Sequence, residues 1–204
     1  MVAQNPYRVS IRTAGIDWIT ATSHSDVGRD EYRKLGARIA ASEDRQGNKP
    51  AVWGWQGYSG WHAGGLTYGE RKDGAILRLS GALAAGYWRD AVRWSSNISR
   101  LDLEVTVHLS PFPRHLGTVG YRSVLAAVPE GAEPPNASLH VSTDGGETLY
   151  LGRRASDKYS RLYNKAVESK EPAFRGCWRY ELELKGLPAK TTADRLMAST
   201  DAAP

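Results

Sequence analysis

The residues best equipped for chemistry in this chain lie in the run SRLYNKA. In an extended segment alternate side chains share a face, so Arg161, Tyr163 and Lys165 line one side and Leu162 and Asn164 the other. Positive charge beside a phenol favours its ionised form, and the same cations can neutralise a phosphodiester. A phenolate that attacks phosphorus keeps the energy of the broken bond in a phosphotyrosine link, so DNA strand transfer is the matching reaction. The plainer alternative is a strand tyrosine packed among arginine and lysine stems.

Acidic residues recur with the same alternation. Asp102 and Glu104 share a face of RLDLEVTV, and Glu181 and Glu183 share a face of RYELELK, opposite Tyr180, Leu182 and Leu184. Paired carboxylates on neighbouring strands repel unless a positive group lies between them. A hard divalent cation, Mg²⁺ or Mn²⁺, suits such oxygen donors and would polarise a phosphoryl oxygen. Ion pairs with Arg100, Arg179 and Lys185 on a solvent-facing strand are the alternative. The five histidines, at 24, 62, 108, 115 and 140, form neither an HxH pair nor HExxH. No GxxxxGK[ST] loop is present, and GGLTYGE does not fit a dinucleotide fingerprint. Cys177, the one cysteine, has no disulfide partner in the chain and reads as a small core residue.

These groups need elements to hold them. SIRTAGIDWITAT, Ser10 to Thr22, is β-branched and aromatic and reads as a strand. Asp26 to Ala41 carries Tyr32, Leu35, Ile39 and Ala40 at helical spacing behind Ser25 or Asp26 as a cap. WGWQGYSGWHAGG reads as turns, with Trp53, Trp55, Tyr58 and Trp61 either packing or stacking on bases. Ala75 to Leu79 predicts a strand, Ala82 to Arg93 a helix, Ser99 to His108 a strand and Leu116 to Val128 a helix ended by Pro129. Thr148 to Gly152, Ser160 to Val167 and Cys177 to Lys185 predict three further strands. Together they indicate an α+β fold with a mainly antiparallel central sheet and helices packed on it.

A chain of 204 residues, 41% hydrophobic, can bury one core, and residues 1–204 read as one domain. No apolar run approaches membrane-spanning length and the N-terminus lacks a signal core, so a soluble, cytoplasmic protein is expected. The net charge of +5 is concentrated between Thr148 and Lys165, where Arg153, Arg154, Lys158, Arg161 and Lys165 face only Asp157. Arg153, Arg154 and Lys158 are therefore the expected phosphate contacts.

The run YLGRRASDKYSRLYNKAVESK, followed by CWRYELELKG, resembles the replication initiation factor family: rolling-circle plasmid initiators of the Rep_trans type and related conjugative relaxases. Tyr150, Gly152, Arg154 and Ser156 match a Tyr-x-Gly-Ser-Arg-x-Ser pattern. Arg161 to Lys165 match Arg-[Ile/Leu/Phe]-Tyr-[Asp/Asn]-Lys, and Arg179 with Glu181 match an Arg-x-Glu strand. GIDWITAT, GYSGW, LRLSG and SRLDLEVTV extend the similarity to about residues 12 to 190. Arg153 departs from the pattern, standing where Ser or Thr is expected. The chain also stops soon after Lys190, as a minimal or truncated member would.

The resemblance implies a metal-dependent nickase that cuts one strand of single-stranded or locally melted origin DNA. It would stay joined to the 5′ phosphate through Tyr163 and leave a 3′ hydroxyl, with Asp102, Glu104 and Glu181 as metal ligands and a host helicase as a further partner. A catalytically silent DNA-binding regulator on the same fold is the alternative reading, and a nuclease using water a third.

Overall fold

The computed structural model describes residues 7–130, 132–133 and 135–201. In chain order the elements are β1 (Arg8–Ser23), α1 (Asp26–Arg45), β2 (Ala51–Trp55), β3 (Tyr58–Ala63), β4 (Leu66–Arg71), β5 (Gly74–Ser80), α2 (Ala82–Arg93) and β6 (Asn97–Ser110). There follow α3 (Leu116–Ala126), β7 (Ala137–Val141), β8 (Glu147–Leu151), β9 (Lys158–Asn164), α4 (Lys165–Ser169), β10 (Cys177–Lys185) and α5 (Gly186–Asp201). The strands form a ten-stranded sheet in the order β2-β3-β4-β5-β1-β6-β10-β9-β8-β7. β1 with β5, the β2 to β5 meander and the β7 to β9 meander all pair antiparallel, so the expected α+β class holds.

The described residues divide into two compact units, one within 7–15 and 103–183, the other within 16–102 and 184–201. In the second, α1 and α2 pack on the sheet face that carries Ile19, Ala21, Leu66, Tyr68, Leu77 and Leu79, all buried. Ser25 caps α1 by accepting from the Gly28 amide at 3.1 Å. A Cβ at Gly36 would lie 3.2 Å from the Tyr68 ring, so α1 lies close against β4. The buried Tyr32 hydroxyl is satisfied by donating to the Ala91 carbonyl at 2.5 Å.

In the first unit α3 packs on β7 and β8. Glu147, 2% exposed, caps α3: it accepts from the Thr118 amide at 3.0 Å, the Thr118 hydroxyl at 2.7 Å and pairs with His115 at 2.9 Å. Trp178 is fully buried and donates its indole N–H to the Pro113 carbonyl. Cys177 is a buried core residue, as its sequence context suggested.

Two expectations are corrected. The Gly- and Trp-rich stretch holds its turns at Gln56–Gly57 and Gly64–Gly65, with Gly57 and Gly64 at positive φ, but between them it forms β2 and β3, which pair with each other and with β4; Gly60 and, on β4, Gly69 admit crowding that side chains would block. A Cβ at Gly60 would meet the Tyr68 carbonyl oxygen, and one at Gly69 would sit 2.6 Å from the Trp53 ring. The strand expected through Val167 ends at Asn164, whose side chain accepts from the amides of Ala166 and Val167 and starts α4.

Candidate active site around Tyr163 and Glu181

β9 and β10 are neighbours in the sheet and place Tyr163 against Glu181. The Tyr163 hydroxyl donates to Glu181 Oε1 at 2.5 Å, while Arg161 donates through Nε to Glu181 Oε2 at 2.5 Å. One carboxylate therefore holds both the phenol and the nearest guanidinium. Arg161 lies 5.2 Å from the Tyr163 ring centre and the Lys165 ammonium 5.8 Å from it. Lys165 belongs to α4 rather than to the strand, yet the Asn164 cap turns the chain so that it still reaches the ring.

A second part of the network lies one strand further along. Arg179 on β10 donates to the Thr106 hydroxyl at 2.7 Å and pairs with Glu104 at 3.2 Å. Glu104 also accepts from Thr106 at 2.9 Å and from Thr13 at 3.2 Å. Phe174, in a single 3₁₀ turn at Pro172–Phe174, packs against both cations, with Lys165 at 5.5 Å and Arg179 at 5.7 Å from its ring centre. Sequence reasoning missed Phe174, Thr106 and Thr13, which carry no motif of their own.

The electrostatics reverse one expectation. Tyr163 is only 4% exposed, and burial first, then the Glu181 hydrogen bond and charge, push its pKa well above the ordinary tyrosine value. Arg179 acts the other way and is outweighed. The cations do not leave a phenolate at rest, because Arg161 is neutralised by Glu181 and Lys165 by Glu168 at 2.7 Å. Tyr159, four residues earlier, has no such carboxylate bond among the described residues and stacks on Tyr150 at 6.0 Å.

The acidic faces are less exposed than a solvent-facing strand would be. Glu181 and Glu183 are buried at 6% and 9%, whereas Tyr180 on the supposed inner face is 37% exposed. Each expected metal ligand is held by an arginine: Glu181 by Arg161, Glu104 by Arg179, and Asp102, in the second unit, by Arg100 through two bonds of 2.9 and 2.6 Å. Among the described residues no three His, Cys, Asp or Glu side chains gather as a metal-binding group. In this arrangement the acids do not fit a divalent cation, because arginines take the place a metal would occupy.

Arg153, Arg154 and Lys158 are exposed on the β8–β9 hairpin. Gly152, at φ +86°, and a Ser156 amide bond to the Arg153 carbonyl shape that turn. A cleft of about 600 Å³ opens beside the end of β9, with Arg12, His108, Asn164 and Arg175 in its wall.

Residues 127–204 match the replication initiation factor family. The replication initiation factor (Rep_trans) match covers β7 to α5, so Arg161, Tyr163, Lys165 and Glu181 fall inside it and Asp102 and Glu104 outside. The resemblance seen in YLGRRASDKYSRLYNK and CWRYELELKG is thereby supported over that part of the chain. The fold is similar to that of a rolling circle replication initiator protein from Geobacillus stearothermophilus. The TM-score is 0.63 at 18% identity, over 97% of this chain and 81% of that one. No curated protein matches the chain. Among the described residues no helix is long and apolar enough to cross a membrane.

Proposed function

We propose that this chain is a single-tyrosine DNA nickase that initiates rolling-circle replication or plasmid transfer on single-stranded or locally melted origin DNA. The observation that carries the reading is the Tyr163 to Glu181 hydrogen bond inside the stretch matching the replication initiation factors. A raised phenol pKa calls for a base at the moment of attack, and Glu181 is already in place to accept the proton. An incoming phosphodiester competes with Glu181 for Arg161 and with Glu168 for Lys165, which frees Glu181 as it brings phosphorus to the phenol. The Tyr163 oxygen then bonds to phosphorus, the bond from phosphorus to the 3′ oxygen breaks, and the leaving oxygen takes a proton to become the 3′ hydroxyl. Arg161 and Lys165 stabilise the charge that builds on the phosphoryl oxygens. Arg153, Arg154 and Lys158 hold the flanking backbone. Asp102, Glu104 and Glu181 are each engaged by an arginine and are not free to hold Mg²⁺ or Mn²⁺.

A silent regulator is the second reading, favoured by the burial of the Tyr163 hydroxyl. The two separate when 3′-labelled single strands of randomised sequence are incubated with the protein, with Mg²⁺, with Mn²⁺ and with chelator. The nickase leaves label on the protein in a denaturing gel, and Tyr163→Phe abolishes it while DNA affinity stays within a few fold. A regulator yields no cut, and a nuclease using water cuts without an adduct. An adduct that survives Tyr163→Phe moves the nucleophile to Tyr159 or Tyr150.

A further inference from the structure

In the second unit, α1 and α2 cover one face of the sheet and leave the opposite face of β1 and β5 to polar and aromatic side chains. The register sets Thr20 of β1 and Thr67 of β4 opposite Arg78 of β5, so Arg78 points away from the buried Leu77 and Leu79. Its guanidinium carbon lies 4.4 Å from the Trp55 ring centre and 5.4 Å from that of Trp53, whose indole lies over Gly69. Arg100 stacks in the same manner on Trp18 at 4.8 Å.

Between them opens a cleft of about 320 Å³ lined by Trp18, Thr20, Arg78, Ser99, Arg100 and Lys185, with no carboxylate in its wall. The Trp18 indole donates to the Thr20 hydroxyl at 2.9 Å, which leaves that hydroxyl's own hydrogen to donate elsewhere. Arg78 has no hydrogen bond or ion pair among the described residues, although it is half-buried; burial first, and the nearby charge of Arg100, disfavour its charged form. A half-buried guanidinium without an acid is an unfilled anion contact. Trp55, 46% exposed, keeps ring surface open to solvent.

We propose that this cleft and the adjoining indoles bind single-stranded DNA, with a backbone phosphate held by Arg78 and Lys185 and a base stacked on an exposed tryptophan. The choice of DNA over other polyanions rests on the nickase reading, while the binding chemistry is that of a stacking platform in a cationic groove. The platform shares no residue with the Tyr163 network and takes no part in bond breaking.

The test uses the full chain carrying Tyr163→Phe, so that cleavage cannot contribute, and a fluorescein-labelled oligothymidylate read by anisotropy and by tryptophan emission. Binding is expected to quench tryptophan emission. Arg78→Ala is expected to weaken it by roughly tenfold, Trp55→Ala by several-fold, and the exposed control Lys49→Ala not at all. Arg78→Lys, which keeps the charge without the planar stack, should fall between, and unchanged circular dichroism certifies the fold of each variant. Photocrosslinking to 5-iododeoxyuridine, which needs no substitution, should label peptides containing Trp18, Trp53 or Trp55. Wild-type affinity and quenching in Arg78→Ala, or crosslinks confined to residues 150–165, overturn the proposal. Tighter binding of the duplex than of the single strand also overturns it. An adduct-negative wild type that still binds through Arg78 sinks the nickase reading and leaves the platform standing.

Discussion

The Tyr163 network and the Arg78 cleft use the same ingredients, arginine, aromatic rings and strand hydroxyls, with opposite charge accounting. Around Tyr163 each cation already has an acid: Arg161 has Glu181, Lys165 has Glu168 and Arg179 has Glu104. In the wall of the Arg78 cleft Arg100 pairs with Asp102, whereas Arg78, half-buried, has no acid among the described residues. A neutralised network can exchange partners when a phosphate arrives and so is able to move protons. A half-buried arginine without an acid simply attracts the phosphate. On the proposed readings the first serves chemistry and the second holding.

The comparison breaks most sharply at Glu181. Glu181→Gln keeps the shape of the side chain and removes the proton acceptor, so the single-turnover rate of adduct formation should fall by about a hundredfold or more, the usual scale of general-base loss. Near-normal turnover would return Glu181 to a structural role. Lys165→Ala comes next. Loss of one charge-assisted phosphate contact costs about 2 kcal/mol, or about thirtyfold in rate at saturating DNA, and Lys170→Ala serves as the exposed control. A change in affinity and salt slope alone would make Lys165 a backbone clamp.

A gentler probe asks whether the acids are as fully engaged as the arginine pairs imply. Calorimetric titration of the DNA-free protein with Mn²⁺ should reveal no site tighter than the millimolar range, because a cation must displace Arg161 or Arg179 to reach Glu181 or Glu104. Tight binding would show that the arginines yield and would restore the metal site expected from the acidic strands.

The smallest effect is on stability in alkali. Tyr163, Tyr32 and Tyr68 all have pKa values raised chiefly by burial. Below pH of about 10 folded and unfolded chains both keep these protons and the contribution is complete. Above it the unfolded chain releases them first, so stability declines as pH rises. Chemical denaturation between pH 9 and about 11 should show this decline, shallower in Tyr163→Phe.

Legibility followed the range of the interactions. The helix Ala82–Arg93 and the strand Cys177–Lys185 were readable to their end residues, because local periodicity decides them. In WGWQGYSGWHAGG the turns at Gly57 and Gly64 were readable and the strands between them were not, since Gly60 answers to a carbonyl on the neighbouring strand rather than to a turn. The break at Asn164 had a visible signal, an Asx cap followed by Lys-Ala-Val-Glu, which the strand pattern masked. Tyr163 and Glu181 could be picked out as candidates, but their mutual bond could not. It depends on β9 lying beside β10, a neighbour relation that no stretch of sequence carries by itself. The raised phenol pKa was out of reach for the same reason, because burial of a polar face appears only when the sheet is assembled.

β9 also has a mechanical meaning. It lies inside the sheet with β10 on one side and β8 on the other, and the β8 ladder reaches Tyr163 itself through Thr148. In the proposed reaction DNA becomes joined to Tyr163, and tension on that DNA would pull on this strand. An edge strand would peel away one hydrogen bond at a time, but an interior strand must shear two ladders together. The attachment point is therefore anchored against the pull of whatever draws the DNA away, and the linkage can outlast the forces of strand displacement until rejoining.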